Sequence, residues 1–135
     1  MRGILADTNA EGILTSLRFI WLSASWRELW FGLDLSIEDF HSVGLPFDAS
    51  DRVVWRTSQE QSLILVTSNR NAEGPDSLEM VIHDENQPDS LPVITLADAR
   101  RVLRQRDYAE KTAERILDYL LQIDQFRGAG RLYAP

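Results

Sequence analysis

The chain has 135 residues, of which 44% are hydrophobic and 26% charged, and this length suits one globular domain. The composition excludes full-length disorder and collagen, and no apolar run approaches the roughly 20 residues of a membrane helix. Because cysteine is absent, disulfides, thiolate zinc sites and cysteine nucleophiles are excluded. Together with the missing membrane helix, this composition leads us to expect a cytoplasmic protein with no membrane partner.

The net charge of −7 argues against sequence-independent binding of nucleic acid, since neutralisation of phosphates supplies most of that affinity. A negative surface can instead attract divalent cations or a basic partner protein. The simpler interpretation is an acidic surface that keeps the protein soluble. Charge alone therefore selects no function.

Helices are predicted where apolar residues recur at spacings of three and four, and strands where short runs are apolar or alternate. In chain order the predicted elements are a strand at 3–7, a helix at 10–22, a short helix near 25–30, a strand at 33–40, a helix at 51–61, a strand at 62–67, a helix at 76–84, a strand at 93–96, and helices at 97–106 and 108–126. Spacings typical of helix caps accompany four of the helices. The predicted caps are Ser25, Ser50 or Asp48, Asp76 and Thr95.

Strands that alternate with helices need crossover connections, so this order predicts a mainly parallel sheet with helices on both faces. We expect an α/β fold, a three-layer α/β/α sandwich with roughly four strands, in a single domain over residues 1–135. The helix at 108–126 would be followed by an extended tail without periodicity. Ligands of such sheets bind beyond the carboxyl ends of the strands, so the polar residues there are the candidate site.

Three segments bring oxygen ligands to that edge of the sheet. Asp7 and Asn9 follow the first strand, Asp51 opens a helix, and Asn69 and Asn71 follow the third strand. Carboxylate and carboxamide oxygens suit Mg²⁺ or Mn²⁺. The same residues also have structural interpretations, namely a helix cap, an acid at the positive end of a helix dipole, and turn residues. Spacing alone leaves both interpretations open.

Together these residues resemble the PIN-like nucleases, in particular the short PIN-like proteins found beside antitoxin-like partners. Members of that family begin with a strand that ends in Asp, typically L-L-D-E-N-L, and this chain has L-A-D-T-N at 5–9. They carry S-D at the start of a mid-chain helix, as Ser50 and Asp51 do here. A later strand ends T-H-D-R-D-F, where this chain has T-S-N-R-N at 67–71. The resemblance covers about residues 3–95.

The resemblance implies a metal-dependent ribonuclease of the toxin type, with RNA as substrate and an antitoxin-like protein partner. In such nucleases, acids hold one or two divalent ions that activate water and stabilise the leaving oxygen. The implied catalytic residues are Asp7, Asp51, Asn69 and Asn71, of which the first three would hold Mg²⁺ or Mn²⁺. Asn9 and Arg70 would contact the substrate, with Arg70 facing the phosphate.

The chain departs from the family pattern at Asn69 and Asn71, where the family has two acids. A carboxamide can ligate a metal ion but brings no charge, so two hypotheses stay open: a nuclease, and a catalytically impaired protein that acts as a binding or assembly module. The amides favour the second hypothesis, and the retained Asp7, Asn9 and Asp51 favour the first. We take the nuclease as the working hypothesis.

Two C-terminal patterns bear on partners. The apolar stripe of 108–126 is wider than one packing face, and Leu132 and Tyr133 would lie in water if the tail were free, which predicts a homodimer through this helix and tail. The alternative is a tail that folds back on its own domain. The arginines of 100–106 would either grip phosphate or form a solvated face.

Overall fold

The computed structural model describes residues 1–68 and 74–135, and it confirms the α/β class with a parallel sheet between two helical layers. The described residues form five strands, one more than expected. The strands are β1 (Gly3–Ala6), β2 (Ser36–Glu38), β3 (Leu63–Thr67), β4 (Val93–Leu96) and β5 (Arg131–Ala134). The α-helices are α1 (Glu11–Trp21), α2 (Arg27–Leu33), α3 (Asp51–Glu60), α4 (Leu78–Glu85), α5 (Ala99–Arg104) and α6 (Arg106–Leu121).

The strand order is β2-β1-β3-β4-β5, and each neighbouring pair is parallel. The chain steps from β1 outward to β2 and then crosses back to β3 on the other side of β1. The direction of winding therefore reverses between β1 and β3. In open α/β sheets such a reversal leaves a crevice outside the carboxyl ends of the two strands.

Both faces of the sheet are covered, which explains why its three central strands, β1, β3 and β4, are nearly continuous apolar runs rather than alternating ones. All five residues of β3, L-I-L-V-T, are buried. Ile4 and Ile64 point to the layer formed by α1, α2, α5 and α6, whereas Leu5 and Leu65 point to the layer formed by α3 and α4.

The connection from β4 to β5 has the opposite hand to the others. The steps from β3 to β4 and from β4 to β5 run in the same direction across the sheet, yet α4 covers one face and α5 with α6 covers the other. Parallel crossovers nearly always share one hand, so this last connection is an exception. It brings α6 against α1, at the opposite end of the chain.

The C-terminal tail forms the edge strand of the sheet. β5 pairs with β4, Ala134 is fully buried, and Leu132 packs against the larger core cluster. Gly128 and Gly130 adopt positive φ values in the turn that leads into β5. The alternative of a tail folded back on its own domain is therefore confirmed. The equally short β4 was predicted from its apolar run, whereas β5, R-L-Y-A, has no such run.

Helix boundaries differ from the predicted ones in two respects. Helix α6 spans 106–121 instead of 108–126, and residues 123–125 form a separate 3-10 turn. Ser50 caps α3 as predicted, but α2 has no side-chain cap, Ser77 caps α4, and Asp98 caps α5. Thr95 cannot cap a helix because it is paired within the sheet.

Candidate functional site

The candidate site lies where β1 and β3 end, side by side in the sheet. Ala6 and Val66 are paired in register, so Asp7 and Thr67 are neighbours at the carboxyl edge. The backbone N–H of Asp7 donates to the carbonyl of Val66 at 3.0 Å, which continues the strand pairing by one residue. The reversal of strand order places the ligand crevice of this fold class at the same point.

Asp7 has a fixed orientation. Its side chain is buried, with the residue 8% exposed, and one carboxylate oxygen accepts from the backbone N–H of Thr8 at 2.8 Å. The other oxygen accepts from the Thr67 hydroxyl at 2.7 Å. The first bond caps the 3-10 turn at residues 8–10, so the expected capping role is confirmed. The second bond is not needed for capping, and it ties the carboxylate to the neighbouring strand.

Asn9 joins the same network. Its side-chain oxygen accepts from the backbone N–H of Ser68 at 3.1 Å and lies 3.4 Å from the Thr67 hydroxyl. The turn after β1 is therefore bound to the end of β3 by two side chains. Sequence analysis missed Thr67. The signal in the sequence was its position: this hydroxyl residue ends the predicted strand at 62–67, just as Asp7 ends the first strand.

Asp51 lies at the same edge of the sheet. Helix α3 leads directly into β3 and runs against it, so the first turn of α3 begins at the carboxyl end of the strands. Ser50 caps this turn by accepting from the N–H of Val53 at 3.3 Å. The structure thus brings Asp7, Asn9 and Thr67 into contact and places Asp51 at their edge. Asn69, Arg70 and Asn71 lie outside the described residues.

Arg52 anchors the first turn of α3 to the neighbouring helix. Its guanidinium donates to the Asp76 carboxylate at 3.0 Å, to the carbonyl of Pro75 at 2.9 Å, and to the Glu85 carboxylate. The Asp76 bond, with those to Glu85 and Asp84, raises the pKa of Arg52. Arg56, followed by Arg52, lowers the pKa of Glu85. These ion pairs hold Asp51 in register with α4.

The side-chain oxygen atoms at this edge supply part of the ligand set that a hard divalent cation needs. The two short hydrogen bonds to Asp7 engage about half of the roughly four lone-pair positions of a carboxylate. Asp51 brings a second carboxylate, and Mg²⁺ commonly keeps several waters when protein ligands are few. Among the residues that the structure describes, no three His, Cys, Asp or Glu side chains are grouped to hold a metal ion. An ion held by Asp7 and Asp51 would keep several water ligands.

A cavity of about 330 Å³ opens beside the end of β1, on the side away from Thr67. It lies between α1 and the end of β2, and Glu11, Arg18, Glu38 and Asp39 contribute its charged lining. The Ser42 hydroxyl, with smaller contributions from Ser36 and Arg2, lowers the pKa of Glu38. Sequence analysis did not predict this cavity, because Glu11 and Glu38 are 27 positions apart in unrelated motifs.

Comparisons with protein-family models, with curated proteins and with solved structures gave no match. Within residues 1–68 and 74–135, no helix is both long enough and apolar enough to cross a membrane.

Proposed function

We propose that this protein is a PIN-like ribonuclease that depends on Mg²⁺ or Mn²⁺ and whose site lies at the carboxyl ends of β1 and β3. One observation carries the proposal: the Asp7 carboxylate is buried at the reversal of strand order and is oriented by bonds from Thr8 and Thr67. An acid fixed in the crevice of an open α/β sheet is well placed to meet a ligand. Asp51 supplies a second acid at the same edge.

In this proposal Asp7 and Asp51 hold the ion, which would supply activated water and charge stabilisation for hydrolysis of a phosphodiester. Thr67 keeps the Asp7 carboxylate in one orientation, so little rearrangement is needed when the ion binds. Asn9 holds the turn after β1 against the end of β3, which preserves the spacing of the strand ends.

The roles expected for the remaining residues stay predictions. Asn69 would be a neutral metal ligand, Asn71 would belong to the catalytic set, and Arg70 would face the phosphate. Asn9 was expected to contact the substrate, and the bond from Ser68 adds a structural role for its side-chain oxygen. A site with fewer charged ligands should need more metal ion and turn over slowly, because neutral oxygens bind divalent cations more weakly.

Calorimetric titration of Mn²⁺ into the full chain tests the proposal. Asp7→Asn removes the charge but keeps one oxygen that can accept from the Thr8 N–H, and its new amide NH2 can donate to the Thr67 hydroxyl, so we expect a loss of Mn²⁺ affinity of at least about tenfold in a folded protein. Asp118→Asn, on the exposed side of α6, is the matched control and should bind as the parent does. Equal affinity in parent and Asp7→Asn would overturn the metal site.

Cleavage of single-stranded RNA in millimolar Mn²⁺ tests the reaction itself. We expect slow cleavage by the parent and none by the Asp7→Asn/Asp51→Asn variant, because both acids that hold the ion lose their charge. Cleavage that persists unchanged in the double variant would assign the activity to another site or to a contaminant.

The second candidate is a catalytically impaired PIN-like protein that acts as a binding or assembly module. Two observations favour it: both oxygens of Asp7 are engaged in bonds that stabilise the fold, and the described residues hold no group of three potential metal-binding side chains. This candidate predicts no Mn²⁺ binding and no cleavage, with a lower unfolding temperature in Asp7→Asn. The two measurements above therefore separate the candidates.

We further propose that the protein forms a homodimer through α6 and the C-terminal residues. Leu121 is 47% exposed and Tyr133 is 53% exposed, and these apolar groups support a contact there. Truncation at Arg127 would remove β5, so Leu121→Ser/Tyr133→Ser is the cleaner variant. Light scattering should give a dimer mass for the parent and a monomer mass for the variant. A monomeric parent would refute the dimer. The antitoxin-like partner and the cytoplasmic location stay predictions.

A further inference from the structure

The cavity between α1 and the carboxyl ends of β1 and β2 has the dimensions of a ligand pocket. Its volume of about 330 Å³ falls within the range of about 300–1,000 Å³ for small-molecule sites. Ala6, Leu14 and Ile37 form its apolar lining. The cavity lies across β1 from Thr67, so it adjoins the site proposed at Asp7 along one edge of the sheet.

The charged lining combines two kinds of group. Glu11, Glu38 and Asp39 accept hydrogen bonds, whereas Arg18 donates them and carries a positive charge. Glu11 and Arg18 are seven residues apart on α1, which at 1.5 Å per residue separates them by roughly 10 Å. Within the described part of the chain, neither of these two side chains forms an ion pair. Both are available to a ligand.

A second hollow of about 170 Å³ continues the cavity along α1. It shares Thr15 and Arg18 with the first and adds Phe19 and Leu22. Phe19 is 72% exposed, although it is large and apolar. An aromatic ring in water beside a cationic side chain is the arrangement on which single-stranded nucleic acids stack their bases.

The mixture of charges discriminates between classes of ligand. A lysine or arginine side chain would meet attractive acids but also Arg18, which repels it, and a simple anion would meet three carboxylates. A nucleotide suits both ends, because its base can donate hydrogen bonds and its phosphate is negative. Carboxylates accept from exocyclic amino groups such as N4 of cytosine, whereas uracil has no amino group and its N3–H lies between two carbonyl oxygens, which carboxylates repel.

We propose that this cavity binds one nucleotide, with an amino-bearing base against Glu11, Glu38 and Asp39 and its phosphate directed to Arg18. Cytosine, adenine and guanine are thus accepted, and uracil is disfavoured. Only the source of the nucleotide rests on the proposed function. If the protein is a ribonuclease, the nucleotide is one residue of an RNA strand, and the next base stacks on Phe19. If it is not, the ligand is a free nucleotide.

Two glycines provide a matched pair of variants. A Cβ placed at Gly12 or at Gly32 meets no atom within 4 Å, and both residues lie in helices, so leucine is tolerated at either position. Gly12 lines the cavity and Gly32 does not. Gly12→Leu therefore fills the site, and Gly32→Leu repeats the substitution elsewhere. Thermal melts of both variants verify that they are folded.

Calorimetric titrations of CMP and UMP in EDTA test the base preference without metal ion. We expect CMP to bind the parent about tenfold more tightly than UMP, which is the lower part of the range for a matched base contact. Gly12→Leu should lose at least about tenfold in CMP affinity and Gly32→Leu none. In Glu11→Gln/Glu38→Gln the preference for CMP should shrink, and Arg18→Gln should weaken both nucleotides equally.

Equal affinities for CMP and UMP, or CMP binding that survives Gly12→Leu, would overturn the proposal. A third outcome would also overturn it: CMP fails to bind, but an octalysine peptide binds tightly and Gly12→Leu abolishes that binding. The cavity would then dock a basic protein segment. An oligomer of five cytidines that binds at least about tenfold more tightly than CMP indicates an RNA residue, and equal binding indicates a free nucleotide. Asp7→Asn should leave CMP binding in EDTA unchanged, so failure of the nuclease proposal and failure of the cavity proposal are separately visible.

Discussion

The two helical layers both pack on the sheet through apolar clusters, but the helices within each layer are joined to one another by different contacts. The layer of α1, α2, α5 and α6 buries the larger apolar cluster, in which Trp21 stacks on Trp30 with ring centroids 4.8 Å apart. The indole N–H of Trp21 donates to the carbonyl of Ala113 at 3.1 Å, which joins α1 to α6 across the core. The layer of α3 and α4 buries a smaller cluster, and ion pairs at the surface also join Arg52 and Arg56 of α3 to acids within and just before α4.

This difference matters for the site, because one acid belongs to each environment. Asp7 ends a strand whose side chains are buried on both faces, and its position depends on the core. Asp51 opens a helix whose attachment to α4 depends on ion pairs that water reaches. We therefore expect the position of Asp7 to follow core packing, and that of Asp51 to follow pH and ionic strength.

Trp21→Ala should have the largest effect on the more apolar layer. A fully buried tryptophan is removed, and such truncations cost about 3–5 kcal/mol of unfolding free energy because a cavity remains. Urea denaturation followed by circular dichroism measures this cost. Trp26→Ala, at a partly buried position in the same cluster, is the control and should cost clearly less. A cost for Trp21→Ala no larger than that of the control would contradict the assignment of the core.

The fold was largely predictable because its three central strands are buried on both faces. β3 and β4 are short apolar runs bounded by turn residues, and their alternation with amphipathic helices is sufficient to predict a parallel sheet. β5 was not predictable. Unlike the equally short β4, it is not an apolar run, because it contains Arg131 and the exposed Tyr133, and its pairing depends on a connection of unusual hand.

The site was predictable only in part, for a related reason. Asp7 and Asn9 follow a recognisable strand, so the strand-end rule finds them. Thr67 was missed, because a threonine at the end of a strand also suits ordinary sheet packing. The Arg52 network and the cavity at Glu11 and Glu38 join residues far apart in the chain, and no local pattern indicates such contacts.

Thr67→Val should have an intermediate effect on the free energy of unfolding. It should also show whether Thr67 acts on the Asp7 site or only in the packing of the sheet. Valine has the shape of threonine but cannot donate to Asp7, so a buried carboxylate oxygen loses its partner at a cost of about 1–3 kcal/mol. We also expect weaker Mn²⁺ binding, because the Asp7 carboxylate loses one of its two short bonds. Thr95→Val is the control, since Thr95 pairs with Thr67 in register and accepts from Arg131 instead. Its Mn²⁺ affinity should stay that of the parent, and equal losses in the two variants would contradict a specific role for Thr67.

Glu85→Gln should have the smallest effect, and its sign depends on pH. Arg56 and then Arg52 lower the pKa of Glu85 below the ordinary glutamate value of 4.5, so the ionised carboxylate stabilises the folded state. This contribution is fully present at neutral pH and is lost as the pH falls below 4.5 and through the lowered pKa. We therefore expect the variant to melt at a lower temperature than the parent at pH 7, with the difference vanishing in acid and shrinking in 1 M salt.

Glu110→Gln, which breaks an exposed pair with Arg106 on α6, is the control and should melt like the parent under every condition. A difference for Glu85→Gln that persists unchanged in acid would mean that packing rather than charge joins α3 to α4, and the contrast between the two layers would fail.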